Sequence, residues 1–282
     1  TNANVTNPFR NYLTPAQFPG PLRNSTTVQL NQLLRPFPQY LAINQTNTDG
    51  RKSSVQSMKF QIQRPFVKGL SFTIAYAIHS EKQTQAFDDI ALYNRDFTWR
   101  RTDAAKHRIT NAITWDLPVG RGRWLFGNAP RALDYIIGGW KFSNISRYYT
   151  GRLLNFSQSL IVTGNPRVEK PQIGSCSTCF WFDVTKFSQV PTSDRSVRRT
   201  NAFNYPGLTG PSTFQTDATM SKSFRITETI RVEARFELYN VLNNINWDNP
   251  NTTFGNANFG KVTAKRAQYV GREVQYGLRL VF

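Results

Sequence analysis

The sequence has no long apolar run, and this absence excludes one class of membrane protein. Among its 282 residues, no stretch approaches the roughly 18 to 20 consecutive apolar residues of a spanning helix. A helical membrane protein is therefore excluded. Charged residues are also scarce, at 18%, whereas aromatic residues reach 13%, which is typical of folded rather than disordered chains. What remains is a β-rich or mixed globular chain, or a β-barrel whose membrane signal is spread over short strands.

Cysteine and histidine are too few for most metal and redox sites. The two cysteines, Cys176 and Cys179, form one C-x-x-C motif in a stretch rich in Pro, Gly and Ser, and the chain has two histidines. A zinc site takes about four ligands, and no second Cys/His pair is present to supply them. We therefore interpret Cys176 and Cys179 as a small loop disulfide, formed in an oxidising compartment.

The usual motifs of catalysis are missing as well. The sequence contains no P-loop, no G-x-G-x-x-G and no paired-carboxylate signature, and neither His79 nor His107 belongs to a recognisable Ser/His/Asp arrangement. We predict that the chain is not an enzyme and binds no cofactor. It begins without Met and is polar from Thr1 onward, without a signal peptide, so we expect a piece of a longer protein.

The clearest positive signal is an alternation of apolar and polar residues with a period of two. From 229 to 238 the even positions are apolar and the odd ones polar, and 273 to 282 alternates likewise except at Val281. Such segments predict strands with one apolar and one polar face. Five further strands are predicted at 58–62, 70–78, 109–117, 140–149 and 214–224, and an eighth is expected near 26–33.

The connections between these strands differ in length. Short turns are expected at 64–69 and 225–228, and the intermediate segment 118–138 falls on the same rim by strand parity. The long loops cover 81–105, 150–212 and 243–270. Short turns at one rim and long loops at the other are typical of an outer-membrane barrel. The sequence therefore predicts an all-β fold, an antiparallel transmembrane β-barrel segment over residues 1–282, with long extracellular loops and short periplasmic turns.

The same parity predicts the environment of each strand face. The residues predicted to face lipid are Leu70, Phe72, Ile74, Tyr76, Ile230, Val232, Phe236 and Leu238. The residues predicted to face the lumen are Arg231, Glu233, Arg235, Glu237 and Arg279. Lys222 occupies an apolar position near a turn, where its long side chain can snorkel to the interface. Aromatic residues near strand ends predict an interfacial girdle: Trp115, Trp140, Tyr148, Tyr149 and Phe282.

The net charge of +18, from 35 Lys and Arg against 17 Asp and Glu, first suggests nucleic acid as a partner. However, the basic residues are scattered, and no RNA-binding or helix-turn-helix pattern is present. We therefore predict no nucleic-acid partner. Basic loops could instead meet anionic lipopolysaccharide, or a basic lumen could favour anionic solutes.

Several motifs, in order along nearly the whole chain, resemble those of one receptor family. They are LLRPFPQY (33–40), KHR (106–108), WDLPVGRGR (115–123), GGW (138–140), FDVTKF (182–187), EARFELYNVLN (233–243) and YGLRLVF (276–282). In these motifs the chain resembles the C-terminal barrel of TonB-dependent outer-membrane receptors, specifically those with an N-terminal carboxypeptidase-regulatory-like domain.

This resemblance implies a 22-stranded barrel in the Gram-negative cell outer membrane, of which the chain would supply the last seven or eight strands. It also implies a receptor and transporter that binds a scarce solute and takes it up with energy from TonB. The N-terminal plug and the remaining strands are expected to lie outside this chain. The implied partners are outer-membrane lipid and lipopolysaccharide, the barrel-assembly machinery, TonB through absent N-terminal regions, and an unknown small solute.

The last strand resembles the signal that the barrel-assembly machinery reads. An exposed last strand with an apolar face can add to the open seam of that machine by edge pairing. We assign the signal to Tyr276, Gly277, Leu278, Leu280 and Phe282. Two alternatives remain open: a self-contained small porin or adhesion barrel of about eight strands, and a secreted basic β-sandwich that binds polyanions.

Overall fold

The computed structural model describes residues 3–12, 14–17, 20–41, 52–87, 97–191, 197 and 199–282. The chain divides into two compact units, Thr1–Gly50 and Arg51–Phe282. The predicted sheet lies in the second unit.

The first unit is organised around one short antiparallel strand pair, β1 (Asn4–Thr6) with β2 (Thr27–Gln29). A 3-10 turn (Pro21–Asn24) precedes β2, and helix α1 (Leu30–Leu33) follows it. The strand expected near 26–33 is therefore wrong beyond Gln29. The helical turn places Leu33 against the small core of Leu22 and Val28.

The second unit is dominated by an eight-stranded antiparallel sheet. Its strands are β3 (Ser53–Val67), β4 (Leu70–Phe87), β5 (Phe97–Arg101), β6 (His107–Asp116), β7 (Lys141–Tyr149), β10 (Thr213–Arg225), β11 (Arg231–Tyr239) and β12 (Glu273–Val281). They follow the order β12-β11-β10-β7-β6-β4-β3, and β5 pairs with the outer half of β4. Within the described residues, β3 and β12 end the row of strands and each have one neighbour, as does the short β5 beside the outer half of β4.

All seven strands that the alternation predicts in this unit are present, but two expectations need correction. The segment 228–238 becomes a strand only at Arg231, because residues 226–230 form the turn, in which the Ile226 amide donates to the Ile230 carbonyl at 2.9 Å. The loop expected at 81–105 contains strand as well, since β4 runs on to Phe87 and β5 returns beside it. That extension carries polar residues on both faces, so an apolar alternation could not predict it. Residues 88–96 lie outside the described part of the chain.

The short connections lie together at one rim of the sheet. Lys68 and Gly69 join β3 to β4, and both have positive φ (51° and 80°), as a two-residue type I′ hairpin turn requires. Residues 118–138, here called the rim segment, connect β6 to β7 at the same rim, as strand parity predicts. The rim segment contains helix α2 (Arg131–Ile137).

The largest buried cluster lies in the long connections at the opposite rim, not within the sheet. Residues 150–212 and 243–270, here called the cap, contain the two-stranded pair β8 (Leu160–Val162) and β9 (Phe187–Gln189), and a 3-10 turn at Val184–Lys186. The buried members of the cluster are Leu154, Phe156, Leu160, Val162, Phe182, Phe187, Tyr205, Leu208 and Phe259. The long loops are therefore a folded layer with its own apolar core.

Candidate membrane face, rim and cap

Cross-strand pairing joins the residues predicted to face lipid into one continuous surface, here called the apolar face. Tyr76 on β4, for example, lies opposite Phe60 on β3 and Ile109 on β6. The strand residues from the predicted set that share this face are Leu70, Phe72, Ile74, Tyr76, Val232, Phe236 and Leu238. Ile230 precedes β11 and belongs to the turn instead. Contact of this face with lipid stays a prediction.

A polar cluster interrupts the apolar face near its middle. Asn111 donates to Asn144 Oδ1 at 3.1 Å, and Asn144 donates in turn to Thr216 Oγ1 at 2.8 Å. Ser146 Oγ lies 2.7 Å from the same Thr216 hydroxyl. Because these groups satisfy one another, the free-energy cost of placing them in an apolar environment is reduced. The alternation revealed only Asn111 as a polar exception; the cluster depends on strand register.

The opposite surface, here called the polar face, carries all the residues predicted to face the lumen: Arg231, Glu233, Arg235, Glu237 and Arg279. Arg231 and Arg235 lie 3.4 Å from Glu233 and Glu237, respectively, and Glu233 lies opposite Arg279 on β12. The arginines of these pairs are exposed and the glutamates half-buried, so each pair contributes little stability. A cavity of about 670 Å³ opens near the short-turn rim, and its charged lining includes Asp116, Arg123, Lys141, Glu233, Arg235 and Arg279. Whether this face borders a lumen stays a prediction.

Lys222 lies on the apolar face near the rim, and its side chain is 7% exposed. Its ammonium donates to the backbone carbonyls of Tyr135 and Ile136, in the last turn of α2, the latter at 3.1 Å. The Phe224 ring centroid lies 4.8 Å from the same nitrogen. The lysine is therefore held by the last carbonyls of a helix, which attract cations, and its snorkelling to a membrane interface stays a prediction.

Aromatic side chains lie at both ends of the strands, and register separates them by face. Trp115 and Tyr148 lie on the apolar face, and Trp140 contacts the Phe236 ring on that face, with centroids 5.8 Å apart. Tyr149 is on the polar face, because successive residues of a strand point to opposite sides. Its place in the predicted girdle is therefore wrong.

The cap is organised by the buried side chain of Asn201, which makes four hydrogen bonds. Its amide donates to the carbonyls of Phe156 (2.9 Å) and Gln158 (2.7 Å). Its Oδ1 accepts from the Phe203 amide (2.9 Å) and the Tyr205 hydroxyl (3.0 Å). Both N–H groups of the amide therefore donate a hydrogen bond, and its oxygen accepts two, so the buried side chain is fully hydrogen-bonded. No motif in the sequence indicated this residue.

Two larger cavities, and a third of about 40 Å³, lie between the cap and the outer ends of the strands. The larger, about 310 Å³, is lined by Gln83, Arg101, Thr102, Asp103, Leu153, Leu154, Asn155, Asn249, Pro250 and Thr252. The smaller, about 200 Å³, is lined by His79, Ser80, Glu81, Arg101, Thr102, Ala104, Lys106, Gly151, Leu153, Gly207 and Thr209. Arg101 borders both, and Asp103 lies 3.8 Å from Arg152. This mixture of guanidinium, carboxylate and amide groups suits a polar solute. Sequence reasoning missed it because five separate segments of the chain meet there.

The remaining predicted site residues lie at the cap surface and on the last strand. Cys176 and Cys179 are joined in a disulfide within the cap, with Cα atoms 5.2 Å apart. Tyr276 (72%) and Leu278 (80%) on β12, and Phe282 (92%) just after it, are among the most exposed apolar groups of the described residues. Leu280 shares their face, whereas Gly277 lies opposite Arg235 on the polar face. The role of these residues in assembly stays a prediction.

Across the described ranges, no group of three or more His, Cys, Asp or Glu side chains is arranged to hold a metal ion. No helix in the part of the chain that the structure describes is long and apolar enough to cross a membrane.

The family model of an outer membrane beta barrel domain matches residues 2–275, which is nearly the whole chain. No curated protein and no solved structure matches the sequence. The match agrees with the antiparallel sheet, its two unlike faces and its two unlike rims.

Proposed function

We propose that this chain, which belongs to the family of outer membrane beta barrel domains, is part of a receptor that takes up a scarce solute. The chain forms a part of the barrel wall and the external cap of that receptor. The family places the chain in the outer membrane of Gram-negative bacteria. In this proposal the solute passes through the plugged interior of the barrel, with energy from TonB. The motif resemblance and the geometry of the sheet and cap support this route.

One observation carries the proposal: a two-faced sheet joins a rim of short turns to a rim whose long loops fold into a cap. A lipid-facing wall needs an apolar outer surface, and a solute path needs a polar inner one. Loops positioned by a rigid scaffold are where binding sites usually lie. We therefore assign the apolar face to lipid, the polar face to the barrel interior and the cap to the cell surface.

The two edges of the sheet bear on how the wall is completed. Unpaired backbone groups of β3 and β12 cannot face hydrocarbon, because no water is there to satisfy them. We propose that further strands pair with both edges and close a barrel larger than this sheet. In the proposed assembly TonB acts through N-terminal regions outside this chain, and the basic cap meets lipopolysaccharide. The wall is chemically passive, with no enzymatic role.

The two cavities beneath the cap are the proposed place of first solute contact. Arg101 borders both of them, and the exposed Lys170 of the cap borders neither. An Arg101→Ala variant should therefore lose solute capture, whereas Lys170→Ala should not. Both residues are cations of the outer rim, so the comparison separates a specific site from a general loss of positive charge.

The experiment compares spent culture medium from strains with and without the protein by mass spectrometry. The expected result is at least one compound that wild-type cells deplete, and that remains when the protein is deleted or when a protonophore removes the energy supply. Depletion that persists with the protonophore would contradict energised uptake and favour a passive porin. Absence of any protein-dependent depletion would contradict transport and leave an adhesion barrel as the better account.

A further inference from the structure

The rim segment has the construction of a defined structural element rather than a loose connection. The Asp134 carboxylate, from α2, accepts a hydrogen bond from the Arg121 amide at 2.6 Å. Gly120 is buried, has φ of +118°, and a Cβ there would lie 2.8 Å from Gly138 Cα. The turn that starts the segment is therefore packed directly against the helix that ends it.

The rim segment is fixed to the apolar face. Lys222 binds the last carbonyls of α2, and the Tyr135 ring lies 5.6 Å from the Phe224 ring. Trp140, just after the segment, contacts Phe236. Whatever environment covers the apolar face thus continues onto the rim segment.

The segment exposes several large apolar side chains, which is unusual for a connection. Trp124 is 83% exposed, Phe126 65%, Ile136 65% and Leu133 43%. Several large exposed apolar groups within one short segment are typical of an interaction surface. Trp and Phe with aliphatic neighbours are the residues that interfacial amphipathic segments bury at the boundary between headgroups and acyl chains.

The charge of the rim segment complements an anionic surface. Its three arginines, Arg121, Arg123 and Arg131, are all exposed. Its single acidic residue, Asp134, is engaged with the Arg121 amide. Basic groups beside an apolar surface are attracted to anionic headgroups, and each contributes roughly a fivefold preference at low salt.

We propose that the rim segment is an interfacial membrane anchor that lies in the leaflet at the short-turn rim and binds anionic phospholipid headgroups. Its apolar residues enter the boundary of that leaflet, and Arg121 and Arg131 contact the phosphates, whereas Arg123 borders the cavity on the polar face. This assignment rests on the proposed contact of the apolar face with lipid, so the test must separate the two.

The test uses the full-length protein, purified from outer membranes and reconstituted into phosphatidylcholine vesicles that contain phosphatidylglycerol. Tryptophan fluorescence is recorded with lipids brominated near the headgroups or near the bilayer centre. The signal of Trp124 is the difference between the wild type and Trp124→Phe, and that of Trp115, on the apolar face, comes from Trp115→Phe. We expect Trp124 to be quenched several-fold more strongly by the shallow than by the deep bromine.

The other outcomes are distinct. Quenching of Trp115 without quenching of Trp124 would overturn the anchor, leave the wall intact and favour a protein partner on the rim. Quenching of neither would overturn both proposals. Stronger quenching of Trp124 by the deep bromine would contradict an interfacial location.

The headgroup preference is tested with the same protein in mixed detergent and lipid. We expect Arg121→Gln with Arg131→Gln to reduce co-purified phosphatidylglycerol, relative to phosphatidylcholine, by roughly tenfold or more. Arg152→Gln, a cap variant at the opposite rim, serves as the control for total charge. An equal effect of the cap variant, or no effect of the rim variants, would overturn the headgroup assignment.

Discussion

Lys222 Nζ lies 3.1 Å from the backbone carbonyl oxygen of Ile136, so a strand cation closes the end of a helix 86 residues earlier in the chain. The contact explains how a lysine is tolerated on an otherwise apolar surface. Its charge is matched to carbonyl groups that the helix cannot satisfy by itself. It also makes the position of the rim segment dependent on β10.

Replacement of Lys222 by Met should loosen α2 while leaving the sheet intact. The methionine keeps the apolar stem but leaves the carbonyls of Tyr135 and Ile136 without their donor, at a cost of roughly 1 to 3 kcal/mol. Hydrogen exchange should therefore accelerate in residues 131–138 and not in β10. Lys141→Met, which changes an exposed cation on the polar face nearby, is the control. Equal acceleration in both variants would contradict the proposed role of Lys222.

A charge introduced on the apolar face should cost far more than the same charge one residue away. Ile74 lies on the apolar face, at the centre of the pairing between β4 and β6, and is 40% exposed. Thr73 lies beside it on the polar face. A lysine at the bilayer midplane costs about 2 to 4 kcal/mol, but a lysine in a lumen costs little. Ile74→Lys should therefore sharply reduce the heat-modifiable, folded form in outer membranes, and Thr73→Lys should not. Similar yields of the two variants would argue against lipid contact.

Removal of the Asn201 side-chain amide should unfold the cap while the sheet stays folded. Asn201→Ala strips partners from two carbonyls, one amide and one hydroxyl in a site where water cannot replace them, so we expect a loss of roughly 2 to 4 kcal/mol. Proteolysis of intact cells should then cleave within residues 150–212, although the protein remains heat-modifiable. Asn155→Ala, an exposed cap residue, is the matched control.

The cap should also lose stability at high pH. Burial raises the pKa of the Tyr205 phenol above its ordinary value of 10.0, and the hydrogen bond from the Ala202 amide opposes this rise only in part. Below pH 10 the phenol is protonated in both states, so the full stability is present. Above pH 10 the unfolded state loses its proton first and is favoured, so stability falls as the pH approaches the folded pKa. Tyr205→Phe should remove this component of the pH dependence of cap unfolding, measured by near-ultraviolet circular dichroism.

How much of the fold the sequence predicts depends on whether a feature is periodic. The strands that cross a membrane must alternate, so residues such as Phe236 and Glu237 reveal both strand and face. The outer half of β4 has polar residues on both faces, so its sequence does not alternate and its pairing with β5 could not be predicted. The same limit applies to Leu30, where a short helical turn replaces an expected strand.

The candidate sites were less predictable, because their residues come together only through tertiary contacts. Asn201 gathers partners from Phe156 to Tyr205, and the cavities at Arg101 join β4, β5 and two parts of the cap. Lys222 was recognised as an exception, but its partner is a backbone carbonyl that no side-chain pattern marks. The cysteine pair was the reverse case, since the lack of further Cys/His ligands and the loop-like sequence around it indicated the disulfide that the structure contains.

The end of the chain offers a direct test of the proposed link to the barrel-assembly machinery. Phe282 is 92% exposed beyond the edge strand β12, so its removal costs the folded protein little packing. If its ring is read during assembly, Phe282→Ala should slow the appearance of the folded, heat-modifiable form in pulse-chase experiments by several-fold. Stability after assembly should be unchanged. Val281→Ala, which alters the neighbouring residue on the polar face, should assemble at the wild-type rate. A slow rate in both variants would indicate a general requirement for strand length, and a normal rate for Phe282→Ala would remove the aromatic residue from the signal.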